Sequence, residues 1–458
     1  DVQGTLIAPT NNWLTLTNGT FRLSKSATIT LTDLASTDFL VPATSALSLN
    51  HVGAVVNTCM ANDNATDFIL AGKLEILNGT MNIGNQVNNV HNDLEYAASE
   101  VPVLLIQGSG TLNVNGQIRR SVSVLLGSLD YTQKNNSTVL VRGKNQESAS
   151  SFNLNRAKFE VLNPGSQFTM QDNALLIIDR NGLASGGFGD FYLNPSSYAV
   201  TGGEIRFGTS DTPPSASEST FLINTSTPFW NLTVDGTTTN KTARLTSDAA
   251  TIKSNLSILG GSVFDANGLN VNIAGNLLNQ NTSSAAGVTL GGYRPGSVTQ
   301  ITTLNGTSAS QQITGITGNL TNFANLIVDN TFGGGSVNLQ TNTAIRVNAD
   351  LNILNGTFST AANLATVTGN IINNQTHTSS GAGYLVLGGT SGQNINGNGS
   401  GVFGNVRMSN AAGVDLQTAA TINGDLNFVS GLLYINNNQL TLGTTSTVTG
   451  TLNANSMI

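Results

Sequence analysis

Leu351–Phe358 reads L-N-I-L-N-G-T-F, and variants of this phrase return along the whole chain. They are L-T-L-T-N-G-T-F at Leu14–Phe21, L-E-I-L-N-G-T-M at Leu74–Met81, L-S-I-L-G-G-S-V-F at Leu256–Phe264 and L-N-F-V-S-G-L-L-Y at Leu426–Tyr434. Each copy alternates apolar and polar residues, bends at a glycine and resumes with an apolar residue. Alternation is the period of a strand with one buried face. Asn-Gly supplies the left-handed backbone of a sharp turn. One strand–turn–strand unit cannot bury its apolar face alone, so copies must stack, which is the logic of a solenoid.

Composition agrees. Only 9% of the 458 residues are charged, against about 25% in an average soluble domain. Gly, Asn, Thr and Ser fill the gap. No apolar run approaches the ~20 residues of a membrane-spanning helix. Regularly recurring Val, Ile, Leu and Phe, with a net charge of only −7, argue against disorder. The acidic balance and scattered Lys and Arg form no basic stripe, so no nucleic-acid partner is expected. The one cysteine, Cys59, excludes an internal disulfide framework and reads as a buried small apolar side chain. The chain opens at Asp1 without a basic start and apolar core. A signal peptide is therefore expected to have been removed, or the chain to be part of something longer.

Residues 1–220 read as an irregular β-helical region with inserted loops. Residues 85–100, polar and rich in acids, read as a loop extruded from the array. Asp211–Ser219 (D-T-P-P-S-A-S-E-S) is a Pro/Ser break and the candidate boundary. Residues 221–458 hold three super-repeats, at about 221–315, 316–397 and 398–458, the last incomplete. F-W-N-L-T-V at Phe229–Val234 matches F-A-N-L-I-V at Phe323–Val328 and F-G-N-V-R-M at Phe403–Met408. Each match is followed by A-T-I or T-A-I, ending at Ile252, Ile345 and Ile422, and then by the opening phrase. A Q-x-I-x-G or Q-I-x-G element closes the first two copies near Gln312 and Gln393. Each super-repeat is expected to make three or four coils, the whole array a rod on the order of 100 Å long at a strand spacing of ~4.8 Å. The third copy stops without a cap. The native protein is therefore expected to continue, or a protein partner to cover this open end.

This combination of F-x-N-L-x-V, A-T-I, L-x-I-x-x-G-x-F and L-x-L-x-G-N resembles the repeat-rich secreted and cell-surface proteins of the Bacteroidota. The resemblance covers residues 221–458 well and residues 1–220 in style, through G-T-L-N-V-N-G-Q-I at Gly110–Ile118. It implies an all-β, right-handed parallel β-helix. It also implies export by the type IX secretion system and display outside the cell as an adhesin or stalk on gliding or surface-attached cells.

The strongest run of chemistry-bearing residues is Gln171–Asp190, with Asp172, Asp179, Arg180 and Asp190. Enzymes that act on polysaccharides from a β-helix need carboxylates and a basic group on one exposed face. Asp179-Arg180-Asn181-Gly182 also follows the apolar strand A-L-L-I-I directly, where turns favour Asp, Asn and Gly for backbone reasons alone. Gly186–Tyr192 (G-G-F-G-D-F-Y) reads as a Gly-rich turn with two core aromatics, the other reading being an aromatic loop that stacks on sugars. His51, His91 and His377 share no ligand or triad spacing. No G-x-S-x-G elbow or phosphate loop is present. Asn62-Asp63-Asn64 offers oxygen ligands, but without an EF-hand or nonapeptide pattern no metal or other cofactor is expected. Thr-x-Thr pairs such as Thr15/Thr17, Thr28/Thr30 and Thr366/Thr368 invite an ice-binding surface, yet they are too scattered to fall on every coil.

The reading that follows is a non-enzymatic extracellular surface protein whose partners are surface glycans or a protein. Its binding loops are expected at 85–100, 180–200 and 208–220. The alternative is a polysaccharide lyase or hydrolase using Asp172, Asp179, Arg180 and Asp190, or a trimeric tailspike-like glycan binder.

Overall fold

The computed structural model describes residues 1, 14–31, 38–61, 66–87, 90–122, 124–143, 156–180, 188–209, 220–236, 241–281 and 292–458. Among them there is no α-helix, and the paired strands run parallel to their neighbours. The fold is a parallel β-helix. The chain forms two compact units, Asp1–Asp248 and Ala249–Ile458. The Pro/Ser break at 211–219 lies outside the described residues.

In the first unit the strands fall into three parallel ladders. One runs through Phe39–Val41, Phe68–Leu70, Leu94–Tyr96 and Ile118–Arg120. A second runs from Gly19–Leu23 through Leu47, Leu74, Leu104, Tyr131 and Phe168. The third runs from Ala27–Thr30 through Val56, Met81, Leu112, Val139, Leu176, Ile205 and Leu232. Ser45–Thr58 and Lys73–Ile83 each serve two ladders by bending between them. The bend in Lys73–Ile83 is the repeated phrase. Gly79 stands at φ +94°, and a Cβ there would meet the carbonyl oxygens of His51 and Ala54 at 2.6 Å. The equivalent glycines of the other copies, Gly19, Gly260, Gly356 and Gly431, also have positive φ. The phrase makes a corner, as its Asn-Gly predicts.

The second unit also has three ladders, and from Ile301 onward the chain visits them in strict rotation. Ile301–Leu304, Asn325–Asp329, Leu351–Asn355, Ile371–Asn373, Gln393–Asn396 and Val414–Leu416 share one. Gln311–Thr314, Ser336–Leu339, Thr357–Ala361, Thr376–Ser379, Gly401–Phe403, Ala420–Ile422 and Leu440–Leu442 share the next. Leu320–Phe323, Ala344–Val347, Leu364–Val367, Tyr384–Leu387, Val406–Ser409, Asp425–Ser430 and Thr447–Gly450 share the third.

The super-repeat does not match this rotation. From Asn325–Asp329 to Gly401–Phe403 inclusive there are eleven strands, three coils and two strands more. Phe323 therefore closes a strand of the third ladder, whereas its counterpart Phe403 closes one of the second. The copies are out of phase with the coil, and each motif moves to a different face.

Inside both units apolar side chains stack along the axis. Rings pair from coil to coil, as in Phe39–Phe68 (5.6 Å between centroids), Tyr131–Phe168 (5.2 Å) and Phe159–Phe191 (5.6 Å). Stacking identical shapes at the strand spacing keeps the core dense without long side chains.

Residues 85–100 depart from the loop expectation. Leu94–Tyr96 is a rung of the first ladder, with Leu94 and Tyr96 in the core, and His91, Asn92, Asp93 and Glu95 are buried as well. The alternation of L-E-Y is too short to stand out among acids, and the acids themselves are neutralised by residues far along the chain.

Candidate functional site

Three strands of the first ladder are each preceded by an aspartate whose side chain binds the next coil. Asp38 Oδ1 accepts from the Asp67 amide (2.9 Å), Asp67 Oδ1 from the Asp93 amide (2.8 Å) and Asp93 Oδ1 from the Gln117 amide (2.7 Å). This ladder of carboxylates brings Asp67, Asp93 and Glu95 together, with one oxygen of each within 4.8 Å of the others. Two guanidinium groups meet them. Arg119 Nη2 lies 2.5 Å from Asp93 Oδ2 and its Nε 3.3 Å from Glu95 Oε1. Arg156 Nη1 lies 2.7 Å from the same Glu95 oxygen. Beside them Arg120 and Glu160 form a fully buried pair at 2.7 Å, and Glu160 also accepts from the Arg120 and Ala157 amides. The Arg120 guanidinium also lies over the Phe188 ring.

Three carboxylates facing two guanidinium groups leave one negative charge over. The half-buried Asp67 absorbs the imbalance. Burial, and then the charge of Glu95, push its carboxyl up to about 6. Burial also lowers the Arg156 guanidinium, with Arg119 adding to the effect. Among the described residues, Asp67, Asp93 and Glu95 form the group that could hold a cation, but Arg119 and Arg156 already stand against Asp93 and Glu95. Chemically, Asp67 is a proton donor poised near neutrality, and Asp93 and Glu95 are shielded ion-pair partners.

The residues singled out from sequence take separate places. Asp172 sits on an exposed turn at φ +57° and accepts from the Asn135 amide and side chain (3.0 and 3.1 Å). Asp179 is buried after Leu175–Ile178, bonded to Arg142 Nε (3.0 Å) and Thr209 Oγ1 (2.7 Å). Arg180 is half-buried with its Nε unbonded. Asp190 is buried and accepts from the Leu222 amide at 2.7 Å. Asp172, Asp179 and Asp190 thus each bind a residue of another coil. Of the Gly186–Tyr192 turn, Phe191 is in the core, stacked on Phe159, and Phe188 packs edge-on against Tyr192. Residues 62–64, the sequence's oxygen-rich turn, and most of 208–220 lie outside the described residues. Arg142 also lines a cavity of about 240 Å³ with Asn82, Asn113 and Gln86. There the Asn57–Asn82–Asn113 amides bond in series at 2.8 Å per step.

The histidines are far apart in role. His51 bonds the Gly53 amide, and His377 lies in the core between Phe358 and Phe403. One outward column in the second unit, Ser336–Thr357–Thr376–Val402–Thr421–Thr441, stacks small residues in register over six coils. Its spacing in sequence is irregular because coil lengths differ. Only Thr376 has a second threonine two residues on, at Thr378, so paired threonines do not recur at this position.

The acidic cluster was not legible in the sequence. Its members come from four segments between Asp67 and Arg156, and only the aspartates ahead of short apolar strands hinted at it. Comparison with protein-family models, curated proteins and solved structures gives no match for this chain. The class that the geometry defines is therefore architectural, a parallel β-helix with coil-to-coil polar ladders.

Proposed function

We propose that this chain is a non-enzymatic scaffold displayed outside the cell, adhesin-like or stalk-like, which is the role implied by its resemblance to exported Bacteroidota repeat proteins. The observation that supports this reading is the employment of its carboxylates. Asp172, Asp179 and Asp190 are each bonded to another coil, and Asp93 and Glu95 are shielded by arginines. The phase of the super-repeat adds to it. Motifs that recur on different faces serve packing, which every face needs, rather than one recurrent active surface. Export by the type IX route belongs to the same proposal.

One observation favours a second reading, acid–base chemistry on a glycan. Asp67 is half-buried, titrates near 6 and lies in the cluster with Arg119, the profile of a general acid. A polysaccharide panel scored for both retention and shortening separates the two. Retention without shortening is expected. Shortening that is lost in Asp67→Asn or Asp179→Ala would overturn the scaffold reading and identify the acid.

A further inference from the structure

The outward side of the ladder through Ile301–Leu304, Asn325–Asp329, Leu351–Asn355 and Ile371–Asn373 differs from the rest of its length. In register, Thr251, Asn272 and Thr303 are followed by Ile327, Asn352 and Ile372. A shallow groove of about 410 Å³ crosses these coils. Val298, Ile301, Ile327 and Ile372 give it apolar walls, and Asp350 and Asn352 bring polar atoms to it. The loop carrying Val298 is fastened to the next coil by Asn325 Nδ2, which donates to the Val298 and Gln300 carbonyls at 3.0 Å. The groove is therefore built, not an accident of a loose loop.

Its polar atoms are short of donors. Asn352 Oδ1 is shielded from solvent and has no hydrogen-bond partner. Asp350 uses Oδ1 to accept from the Asn370 amide (2.7 Å), which leaves its other oxygen unbonded. Among the described residues, no Lys or Arg lines the groove. A fitting ligand must present an apolar face to the isoleucines and a hydroxyl donor to the second oxygen of Asp350, since Asn352 Oδ1 is out of a ligand's reach, and it must carry no negative charge. A peptide strand would need an open sheet edge, and this is a sheet face. The groove is too shallow to enclose a small molecule. Its side chains repeat with the coil, at ~4.8 Å, which suits an extended chain.

We propose that this groove binds a neutral polysaccharide chain along the helix axis. The assignment rests on the scaffold reading and gives it a ligand class. The test uses the full chain, with retention measured on neutral glucan, mannan and galactan beside polygalacturonate. Ile327→Asn and Ile372→Asn place in the groove a residue that the same column already carries at Asn272 and Asn352, so folding should persist and is checked by circular dichroism. Retention on at least one neutral polymer, none on polygalacturonate, and a loss of about tenfold or more in affinity in the double variant (~1.4 kcal/mol) are expected. Retention undiminished in the folded double variant, or no retention on any neutral polymer, overturns the groove assignment. Shortening of the retained polymer would instead sink the scaffold reading, with the groove still decided by the variants.

Discussion

The Gln393 amide is buried and bonded on both sides. Nε2 donates to the Val367 and Gly369 carbonyls, and Oε1 accepts from the Gly389 amide and Asn410. Gln311 repeats the pattern with Ile273, Gly275, Gly306 and Asn330. Gln393→Leu keeps the volume but strands several backbone groups, so it should lower stability by about 2–4 kcal/mol, read by urea denaturation. His377 is held neutral by burial, its pKa down at about 3. The unfolded chain takes up a proton near 6.5 and the folded one does not. Stability should therefore fall as pH drops from about 6.5 towards 3, by up to ~1.4 kcal/mol per pH unit, and His377→Phe should flatten that slope. Asp67 has the opposite sign. Its carboxyl is raised to about 6, so its contribution is complete below 3.8 and is lost as pH rises through 6. Asp67→Asn, which can still accept from the Asp93 amide, should be at least as stable as the parent at pH 7. A clear loss at pH 7 would refute that account of the cluster.

At the scale of the element, the strands are short and their corners interchangeable. Leu351–Phe358 turns from the first ladder of its unit to the second, and Leu426–Tyr434 from the third to the first. The phrase encodes a corner but not which corner. In the first unit the short Ile118–Arg120 strand depends on charges. Arg120 and Glu160 have no solvent contact, so Arg120→Ala leaves a buried carboxylate unpaired and should cost about 3–5 kcal/mol. Arg206→Ala removes the half-exposed pair with Glu204 and should cost under ~1 kcal/mol. Equal losses in the two variants, measured side by side, would mean that the buried pair is not what secures this strand.

At the scale of the molecule, eleven strands per super-repeat against three per coil means that successive copies present the same motif on successive faces. A surface function confined to one face cannot come from the repeat and must come from departures from it. The Ile301–Ile372 groove is such a departure, and so is the cluster around Glu95. The sequence's attention to Asp179 and Asp190 instead found side chains that bind a neighbouring coil.

The sequence by itself determined the local rules. Alternation demanded half-buried strands, Asn-Gly and Gly-Gly demanded left-handed corners, and copies unable to bury themselves alone demanded stacking. Those rules act between neighbours in the chain, so they can be read from it. The tertiary structure decided the register, because coils of unequal length bring together residues whose separation in sequence follows no period. It made Leu94–Tyr96 a rung rather than a loop, placed Arg156 on Glu95, and lined up Ile327 with Ile372. Each of these is a contact across coils, fixed by the stacking of the whole helix and by no stretch of it alone.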